Sequence, residues 1–192
     1  MKLRESGMPE EAYWETLLDV PLILERLEIN QQLRDVVELG CGYGTFTLPV
    51  AKRISGVLTT FDIEPEMVER TRQRAAHAGV SNVLYVVGDV FAYGFGGEPA
   101  SKDACLLFNI LHCEQPVRLL AEAARVVRSS DFVHVLHWRF DPATPRGPSM
   151  NIRPRPELIV NWAKEAGLVS CPEGILDLPP WHYGIRFQRP GI

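Results

Sequence analysis

The chain has 192 residues, of which 46% are hydrophobic and 23% carry a charge. This composition is typical of a soluble globular protein, and the length predicts a single domain over residues 1–192. The net charge of −4 argues against a broad nucleic-acid surface, and no apolar segment is long enough to span a membrane. We therefore expect neither nucleic acid nor a membrane as a partner.

The expected location follows from the N-terminus and the cysteines. The polar N-terminus lacks the apolar core of a signal peptide, and the four cysteines form no C-x-x-C pair. These features predict reduced thiols and a cytoplasmic protein. No metal site is predicted, and the sequence does not indicate an oligomeric state.

The first element in chain order is a predicted helix over residues 9–27. Pro9 and two glutamates suit its first turn, and apolar residues from Tyr13 to Leu27 recur at helical spacing. Pro21 predicts a kink or break in this helix. Residues 1–34 are therefore predicted to form an N-terminal helical cap.

A glycine-rich turn follows the first predicted strand. The apolar strand from Val36 ends in three glycines at alternate positions, and a helix is predicted over residues 45–54. Glycines permit a tight turn and a close approach of ligand to backbone, and the next helix directs free N–H groups into the same space. A dinucleotide fingerprint is spaced G-x-G-x-x-G, whereas this spacing is G-x-G-x-G. Glu38, two residues before the first glycine, suits a ligand with a positive ammonium group better than a pyrophosphate.

The remaining elements alternate between strands and helices. Residues 92–102 and the proline- and arginine-rich residues 139–156 are predicted loops, the second lying over the site, and residues 128–131 are a predicted turn. Predicted strands cover residues 56–62, 82–87, 103–109 and 132–138, predicted helices 65–78, 116–127 and 156–166, and two closing strands 168–176 and 183–189.

This order predicts an α/β fold. Alternating strands and helices indicate a doubly wound, mostly parallel sheet with helices on both faces and right-handed crossovers. The two consecutive closing strands predict an antiparallel edge hairpin. The expected architecture is a seven-stranded Rossmann-like sheet, in which ligands bind outside the carboxyl ends of the strands.

The last residues of the predicted strands are the first candidates for a ligand site. They are mostly polar: Gly40, Asp62, Asp89, Asn109 and His137. A carboxylate at the position of Asp62 can accept hydrogen bonds from both hydroxyls of a ribose, although an aspartate here can also cap a helix. Asp89 can likewise be a ligand residue or an ordinary turn aspartate.

The stretch from Glu38 to Gly44 closely resembles the first motif of class I S-adenosylmethionine-dependent methyltransferases, of the type 11/25-like domain. Residues 61–67 resemble the second motif and residues 88–90 the next, so the resemblance covers about residues 35–190. It implies S-adenosyl-L-methionine as cofactor, with Asp62 on the ribose, Asp89 on the adenine amino group, and Ile63 and Val90 on the adenine faces. The cofactor-binding residues that it implies are Glu38, Gly40, Cys41, Gly42, Tyr43, Gly44, Asp62, Ile63, Met67, Asp89, Val90 and Asn109.

Three side chains are candidates for a catalytic role: His112, His137 and Tyr13. His112 follows the fourth core strand and would lie near cofactor or substrate, although a histidine at a strand exit is often only a hydrogen-bonded loop residue. His137 lies at the ligand end of its strand, whereas His134 points to the other face and is predicted to be a satisfied core histidine. Tyr13 and its neighbour Trp14 either reach the site or pack.

A small molecule is the expected methyl acceptor, because the two segments that could cover the site are short. Arg139, Arg146, Arg153 and Arg155 in the second segment either receive a carboxylate or phosphate or form a solvated basic loop. Methyl transfer from a sulfonium is an in-line displacement, which depends on alignment of donor and acceptor. Two alternatives stay open: a non-catalytic adenosylmethionine-binding protein and an NAD-dependent Rossmann oxidoreductase.

Overall fold

The fold is built on one seven-stranded sheet in a computed structural model that describes residues 8–191. The first seven residues of the predicted N-terminal cap therefore lie outside the described part. The strands are β1 Asp35–Leu39, β2 Val57–Asp62, β3 Val83–Val87, β4 Lys102–Phe108, β5 Val127–Trp138, β6 Val169–Leu178 and β7 His182–Gln188.

Helices connect most of these strands. Two short helices precede the sheet, and the others follow successive strands. They are α1 Glu11–Thr16, α2 Val20–Arg26, α3 Thr47–Arg53, α4 Pro65–His77, α5 Val90–Tyr93, α6 Pro116–Val126 and α7 Pro156–Glu165. In residues 8–191, no helix has both the length and the apolar character that crossing a membrane requires.

The strand order is β3-β2-β1-β4-β5-β7-β6. The first five strands pair in parallel, and β7 runs antiparallel between β5 and β6. This confirms the predicted doubly wound sheet with an antiparallel closing hairpin. The order reverses between β1 and β4, and this switch point is where a doubly wound sheet opens a crevice for ligands.

The central strands are buried on both faces, as their continuous apolar sequences predict. Val36 and Val37 are both fully buried, but they belong to different hydrophobic clusters because successive side chains point to opposite faces. Leu106 and Leu107 in β4 alternate in the same way. The sheet therefore has a packed core on each side and holds its strand ends rigidly.

The single helix predicted over residues 9–27 was wrong, because the structure has two helices there. α1 ends at Thr16, and the Asp19 side chain caps the next helix by accepting a hydrogen bond from the Leu22 N–H at 3.1 Å. Pro21 lies in the first turn of α2, where its missing N–H leaves no intrahelical bond unmade. The cap and the proline together start a new helix.

Two loop predictions were also wrong in part. Residues 128–131 form the start of β5 with a bulge at Ser130, whose φ is +71°, because Ser130 and Asp131 exchange backbone hydrogen bonds with Arg189 beyond β7. The loop predicted from residue 92 begins only after α5, a single turn that Asp89 caps. The first error concerns pairing between distant parts of the chain, whereas the second missed a local cap two residues before the bonded N–H group.

Candidate active site

A cavity of about 810 Å³ opens at the switch point, beside the carboxyl ends of the parallel strands. Its size lies within the range of small-molecule and cofactor sites. The glycine turn, the ends of β2 and β3 and the segment after β4 all contribute walls. Of the residues predicted for the site, the lining contains Gly40, Cys41, Gly42, Tyr43, Asp62, Ile63, Met67, Asp89, Val90, Asn109 and His112.

The glycine turn leaves backbone open to this cavity. Gly42 has a φ of +49°, and a Cβ atom there would lie 3.1 Å from the Met8 sulfur. Gly44 does not line the cavity. A Cβ atom there would lie 2.8 Å from the Leu48 side chain and would clash with the packing of α3. The predicted ligand approach thus fits Gly42, whereas the requirement for glycine at position 44 is one of packing.

Glu38 lies beneath the glycine turn rather than in the cavity wall. Its Oε2 atom accepts hydrogen bonds of 2.7 Å from the hydroxyls of Thr47 and Thr60, and only 2% of the residue is exposed. Burial raises the pKa of Glu38 to about 7, although both hydroxyls act in the opposite direction. Glu38 therefore ties α3 to β1 and β2, and its predicted contact with a ligand stays a prediction.

Asp62 joins the end of β2 to the glycine turn. One carboxylate oxygen accepts a hydrogen bond from the Gly42 N–H at 3.1 Å, and the other accepts from the Glu64 N–H at 3.0 Å. The side chain does not cap α4, whose N-cap residue is Glu64. A carboxylate has about four acceptor positions, so Asp62 retains capacity toward the cavity.

Asp89 follows β3 and caps α5. Its Oδ1 atom accepts a hydrogen bond of 2.8 Å from the Phe91 N–H, so the turn interpretation describes part of its role. Asp89 also lines the cavity together with Val90 and Ile63. Two apolar side chains and a carboxylate at one end of the cavity form the environment predicted for an adenine ring.

Asn109 leaves β4 in the left-handed region, with a φ of +56°. Its Oδ1 atom is buried and has no hydrogen-bond partner within residues 8–191, and the same holds for the hydroxyl of Thr45. Both residues line the cavity. A buried polar atom without a partner costs free energy, and a bound polar ligand would remove this cost.

Of the three catalytic candidates, only His112 lines the cavity. His112 is 7% exposed and its ring lies 5.6 Å from the ring of His137, which is fully buried behind the wall. Burial, with His112 nearby, lowers the pKa of His137 well below its usual value. Tyr13 is 42% exposed and does not contribute to the lining, whereas its neighbour Trp14 does.

Of the aromatic side chains of the cavity, the sequence indicated Trp14 and Tyr43, whereas Phe46 and Phe108 were missed. Trp138 is 2% exposed at the end of β5, and its ring lies 6.1 Å from that of Trp14 and 4.2 Å from that of His182. Phe46 and Phe108 form a second pair at 4.9 Å. The sequence signal for Trp138 was its position directly after His137, at the ligand end of β5.

The N-terminal segment closes one side of the cavity. Met8, Pro9 and Trp14 belong to the lining, and the Tyr43 hydroxyl donates a hydrogen bond of 2.9 Å to the Pro9 carbonyl. An ion pair of 2.9 Å between Glu15 and Arg74 also holds α1 against α4. The N-terminal segment is thus attached both to the glycine turn and to the helix after β2.

The loop after β5 also contributes to the cavity wall, and Arg153 organises it. The guanidinium is buried and donates to the backbone carbonyls of Arg139, Asp141, Arg146 and Pro148 over 2.7–3.3 Å. Arg153 is therefore neither a solvated loop residue nor an anion receptor. The loop contributes to the lining through Pro145, Arg146, Gly147 and Pro148.

Comparisons with known proteins agree with this geometry. Residues 36–130 match the family model described as "Methyltransferase domain". Phosphoethanolamine N-methyltransferase 1 of Caenorhabditis elegans is 32% identical over 122 residues, which are 62% of this chain and 25% of that protein. The 23S rRNA (uracil(1939)-C(5))-methyltransferase RlmD of Haemophilus influenzae strain 86-028NP is 37% identical over 121 residues, 63% of this chain and 26% of that protein.

The fold also has close counterparts among solved structures. A SAM-dependent methyltransferase from Aquifex aeolicus matches with a TM-score of 0.81 at 16% identity, over 94% of each chain. By contrast, the chain spans about a quarter of the length of the curated relatives named above.

The fold and the glycine turn define a class I methyltransferase domain of Rossmann-like architecture. Residues 36–130 belong to the methyltransferase domain family.

Proposed function

We propose that this chain transfers a methyl group from S-adenosyl-L-methionine to a small-molecule acceptor. One observation carries the proposal: a single cavity at the switch point collects the glycine turn, Asp62, Asp89 and Asn109. These groups come from four successive strand ends. Their chemistry matches a ligand with an adenine, a ribose and an amino acid portion.

The polar groups around the cavity fit this cofactor. Asp62 would accept hydrogen bonds from the ribose, and Asp89 would accept from the adenine amino group between Ile63 and Val90. The buried Oδ1 atom of Asn109 and the Thr45 hydroxyl, both without a partner in the described structure, would meet the polar amino acid portion. Exposed backbone at Gly42 would allow the close approach.

S-adenosyl-L-methionine, when bound, supplies an electrophilic methyl group on a sulfonium sulfur. The transfer would break the carbon–sulfur bond, leave its electron pair on sulfur and join the methyl carbon to a lone pair of the acceptor. The chain's main contribution would be to hold donor and acceptor in line and to keep water out, which can supply several kcal/mol of the barrier. The N-terminal segment and the Arg153-organised loop both contribute residues to the cavity wall, and this supports that role.

His112 is the side chain best placed to remove a proton from the acceptor, where the acceptor carries one. It lies in the cavity wall within the segment after β4, and His137 packs against its ring at 5.6 Å. The low pKa of the buried His137 keeps that imidazole neutral, so it does not add a second charge beside His112. A neutral neighbour leaves His112 able to accept a proton.

A small acceptor fits the cavity better than a folded nucleic acid. Glu64 and Glu66 lie in the lining beside Asp62 and Asp89, so the opening carries negative charge that repels a phosphate backbone. The net charge of −4 acts in the same direction. One relative is an rRNA methyltransferase, so RNA is the alternative methyl acceptor that the test includes.

The test begins with thermal unfolding in the presence of S-adenosylhomocysteine or, separately, NAD. A ligand at 100 times its dissociation constant adds about 2.7 kcal/mol, which for this chain length is a rise of roughly 5–10 °C. We expect a rise with S-adenosylhomocysteine alone. Release of S-adenosylhomocysteine with a small-acceptor library, and not with RNA, would then support the whole proposal. A rise with NAD alone, or methylation of RNA alone, would contradict it.

A further inference from the structure

Two carbonyl groups of the glycine turn are held by side chains of α4. The Thr71 hydroxyl donates a hydrogen bond of 2.8 Å to the Gly42 carbonyl. The Arg74 guanidinium donates a hydrogen bond of 2.7 Å to the Tyr43 carbonyl. Because a peptide group is planar, a hydrogen bond to its carbonyl restrains the orientation of the whole plane. Thr71 and Arg74 therefore restrain both peptide planes that flank Tyr43.

The restrained part of the turn is the part that lines the cavity. Gly42 and Tyr43 belong to the lining, whereas Gly44 does not. Thr71 is fully buried, and its methyl carbon would lie 3.1 Å from a Cβ atom at Gly44, so α4 packs directly against the turn. Backbone that is ordered before a ligand arrives favours binding, because the cost of ordering it is already met. The contacts with α4 thus prepare the turn for the proposed cofactor.

Arg74 also holds the N-terminal segment. Its Nη2 atom lies 2.9 Å from a carboxylate oxygen of Glu15, and its Nη1 atom forms an ion pair with Glu11. Glu11 also pairs with Arg70, whose guanidinium lies 4.9 Å from the centre of the Tyr43 ring. An isolated exposed ion pair stabilises little, whereas these four charges form a network in which each arginine also contacts Tyr43.

The helix that this network holds, α1, itself buries little apolar surface. None of its residues Glu11–Thr16 is buried, although Trp14 lines the cavity and its ring lies 6.1 Å from that of Trp138. Segments with little buried apolar surface open at a low cost in free energy. Movement of α1 would therefore remove part of the cavity wall, and the ion pairs of Arg74 oppose that movement.

We propose that Arg74 is a positioning residue for the methyl transfer, because one guanidinium restrains the turn that receives the cofactor and keeps α1 against the cavity. This role rests on the proposed function and adds how the cofactor enters and leaves: the ion pairs with Glu11 and Glu15 break when α1 opens. Arg74 is not part of the lining, so it acts through Tyr43 and α1 rather than on the reacting atoms. Salt screens exposed ion pairs, so cofactor exchange should be faster at high ionic strength.

Three variants separate the two actions of Arg74. Arg74→Met removes both, because methionine neither donates a hydrogen bond nor pairs with a carboxylate. Thr71→Val is nearly isosteric and loosens only the turn. The double variant Glu11→Gln and Glu15→Gln, which we name the double glutamine variant, loosens only α1.

The first measurement is the rate at which S-adenosylhomocysteine binds and leaves, followed by stopped-flow tryptophan fluorescence with Trp14 in the cavity wall as a reporter. In the parent chain we expect both rates to rise about threefold between roughly 0.05 and 0.5 M NaCl. The double glutamine variant should show the faster rates at both salt concentrations, with an affinity within about twofold of the parent. Thr71→Val should lose about tenfold in affinity and keep the salt effect, and Arg74→Met should lose both affinity and salt effect.

The second measurement needs no ligand: chymotrypsin cleavage after the aromatic residues of α1. Cleavage follows the population of the open segment, so Arg74→Met and the double glutamine variant should be cut about tenfold faster than the parent chain, and Thr71→Val at the parent rate. Arg72→Met is the matched control on the same helix, because Arg72 pairs with Glu69 at 3.7 Å. This control should behave as the parent chain in both measurements.

The outcomes distinguish the role of Arg74 from the proposed function. No binding of S-adenosylhomocysteine by the parent chain would contradict the proposed function, while the cleavage rates would still report whether Arg74 holds α1. Normal binding with rates that do not depend on salt, with a salt effect that survives in Arg74→Met, or with Arg74→Met cut at the parent rate would overturn the role of Arg74 alone. Circular dichroism identifies any variant that unfolds. Should Arg74→Met unfold, the double glutamine variant decides, since parent-like rates in it would overturn the hold on α1.

Discussion

The Asp62 carboxylate accepts a hydrogen bond from the Gly42 N–H at 3.1 Å, so the residue at the end of β2 holds the shape of the turn after β1. The two motifs are 20 positions apart in sequence but form one structural unit. The same side chain lines the cavity. Asp62 therefore contributes both to the fold of the turn and to the proposed ribose contact.

We predict that Asp62→Ala weakens S-adenosylhomocysteine binding at least tenfold without unfolding the chain. Loss of hydrogen bonds to two backbone N–H groups should lower the free energy of unfolding by about 1–3 kcal/mol. Asp19→Ala is the matched control, since Asp19 also accepts from a backbone N–H but caps α2 away from the cavity. Calorimetry measures the affinity, and urea titration measures the free energy of unfolding. Unchanged affinity in Asp62→Ala would contradict the assignment of Asp62 to the ribose.

Gly42→Val should abolish cofactor binding. The residue has a φ of +49°, and a β-branched side chain there would both strain the backbone and meet Met8 at the cavity. Gly79→Val is the control, because Gly79 has a φ of +66° and open space around it. Both variants should lose stability, but only Gly42→Val should lose binding. Equal binding by the two variants would show that the ligand does not approach this backbone.

Asp89→Ala should reduce affinity for S-adenosylhomocysteine less than Gly42→Val does. Asp89 would contribute one hydrogen bond at the adenine edge, while a side chain at position 42 would occupy ligand space. The substitution also removes the cap of α5, which costs roughly 1 kcal/mol. Calorimetry on the two variants side by side is the measurement. A larger loss in Asp89→Ala would reverse the order of importance proposed for these contacts.

The parts that the sequence could predict are local. The glycine turn, the polar strand ends and the alternation of strands and helices each lie within a short stretch, so periodicity and turn chemistry suffice. The Trp14–Trp138–His182 stack joins the N-terminal segment, β5 and β7, and the Arg153 contacts depend on how a loop without periodicity folds back. Such contacts follow from tertiary packing, which is why this part of the cavity wall was less predictable than the strand ends.

Buried histidines should make the chain sensitive to acid. Burial lowers the pKa of His134 and His182 to about 3, and that of His137 well below its usual value. Between pH 3 and 6.5 the unfolded chain binds more protons at these sites, so stability should rise with pH by up to ~1.4 kcal/mol per pH unit for each histidine. Glu38, with a pKa raised to about 7, acts in the opposite direction between pH 4.5 and 7.

The three histidines should outweigh Glu38, so we expect the free energy of unfolding to increase from pH 5 to 6.5. His134→Leu should flatten this increase, since His134 is 1% exposed and both its ring nitrogens lack a hydrogen-bond partner in the described structure. The predicted core histidine is thus buried, and the Leu27 backbone acts on its pKa in the direction opposite to burial. Urea titrations at both pH values, with the exposed His77→Leu as control, provide the measurement. An unchanged slope in His134→Leu would contradict the assignment.

Arg153→Met should release the loop over the cavity while leaving the sheet folded. The guanidinium is the shared donor for carbonyls at residues 139, 141, 146 and 148, and methionine has a similar length but offers none of these hydrogen bonds. We expect a loss of about 2–4 kcal/mol in the free energy of unfolding and faster proteolysis between residues 139 and 155. Arg155→Met, at an exposed position of the same loop, is the control. The predicted adenosine contacts follow β2 and β3 and do not come from this loop, so S-adenosylhomocysteine should still bind Arg153→Met. Acceptor binding should fall, and a variant that kept both its protease resistance and its acceptor affinity would show that the loop is held by other contacts.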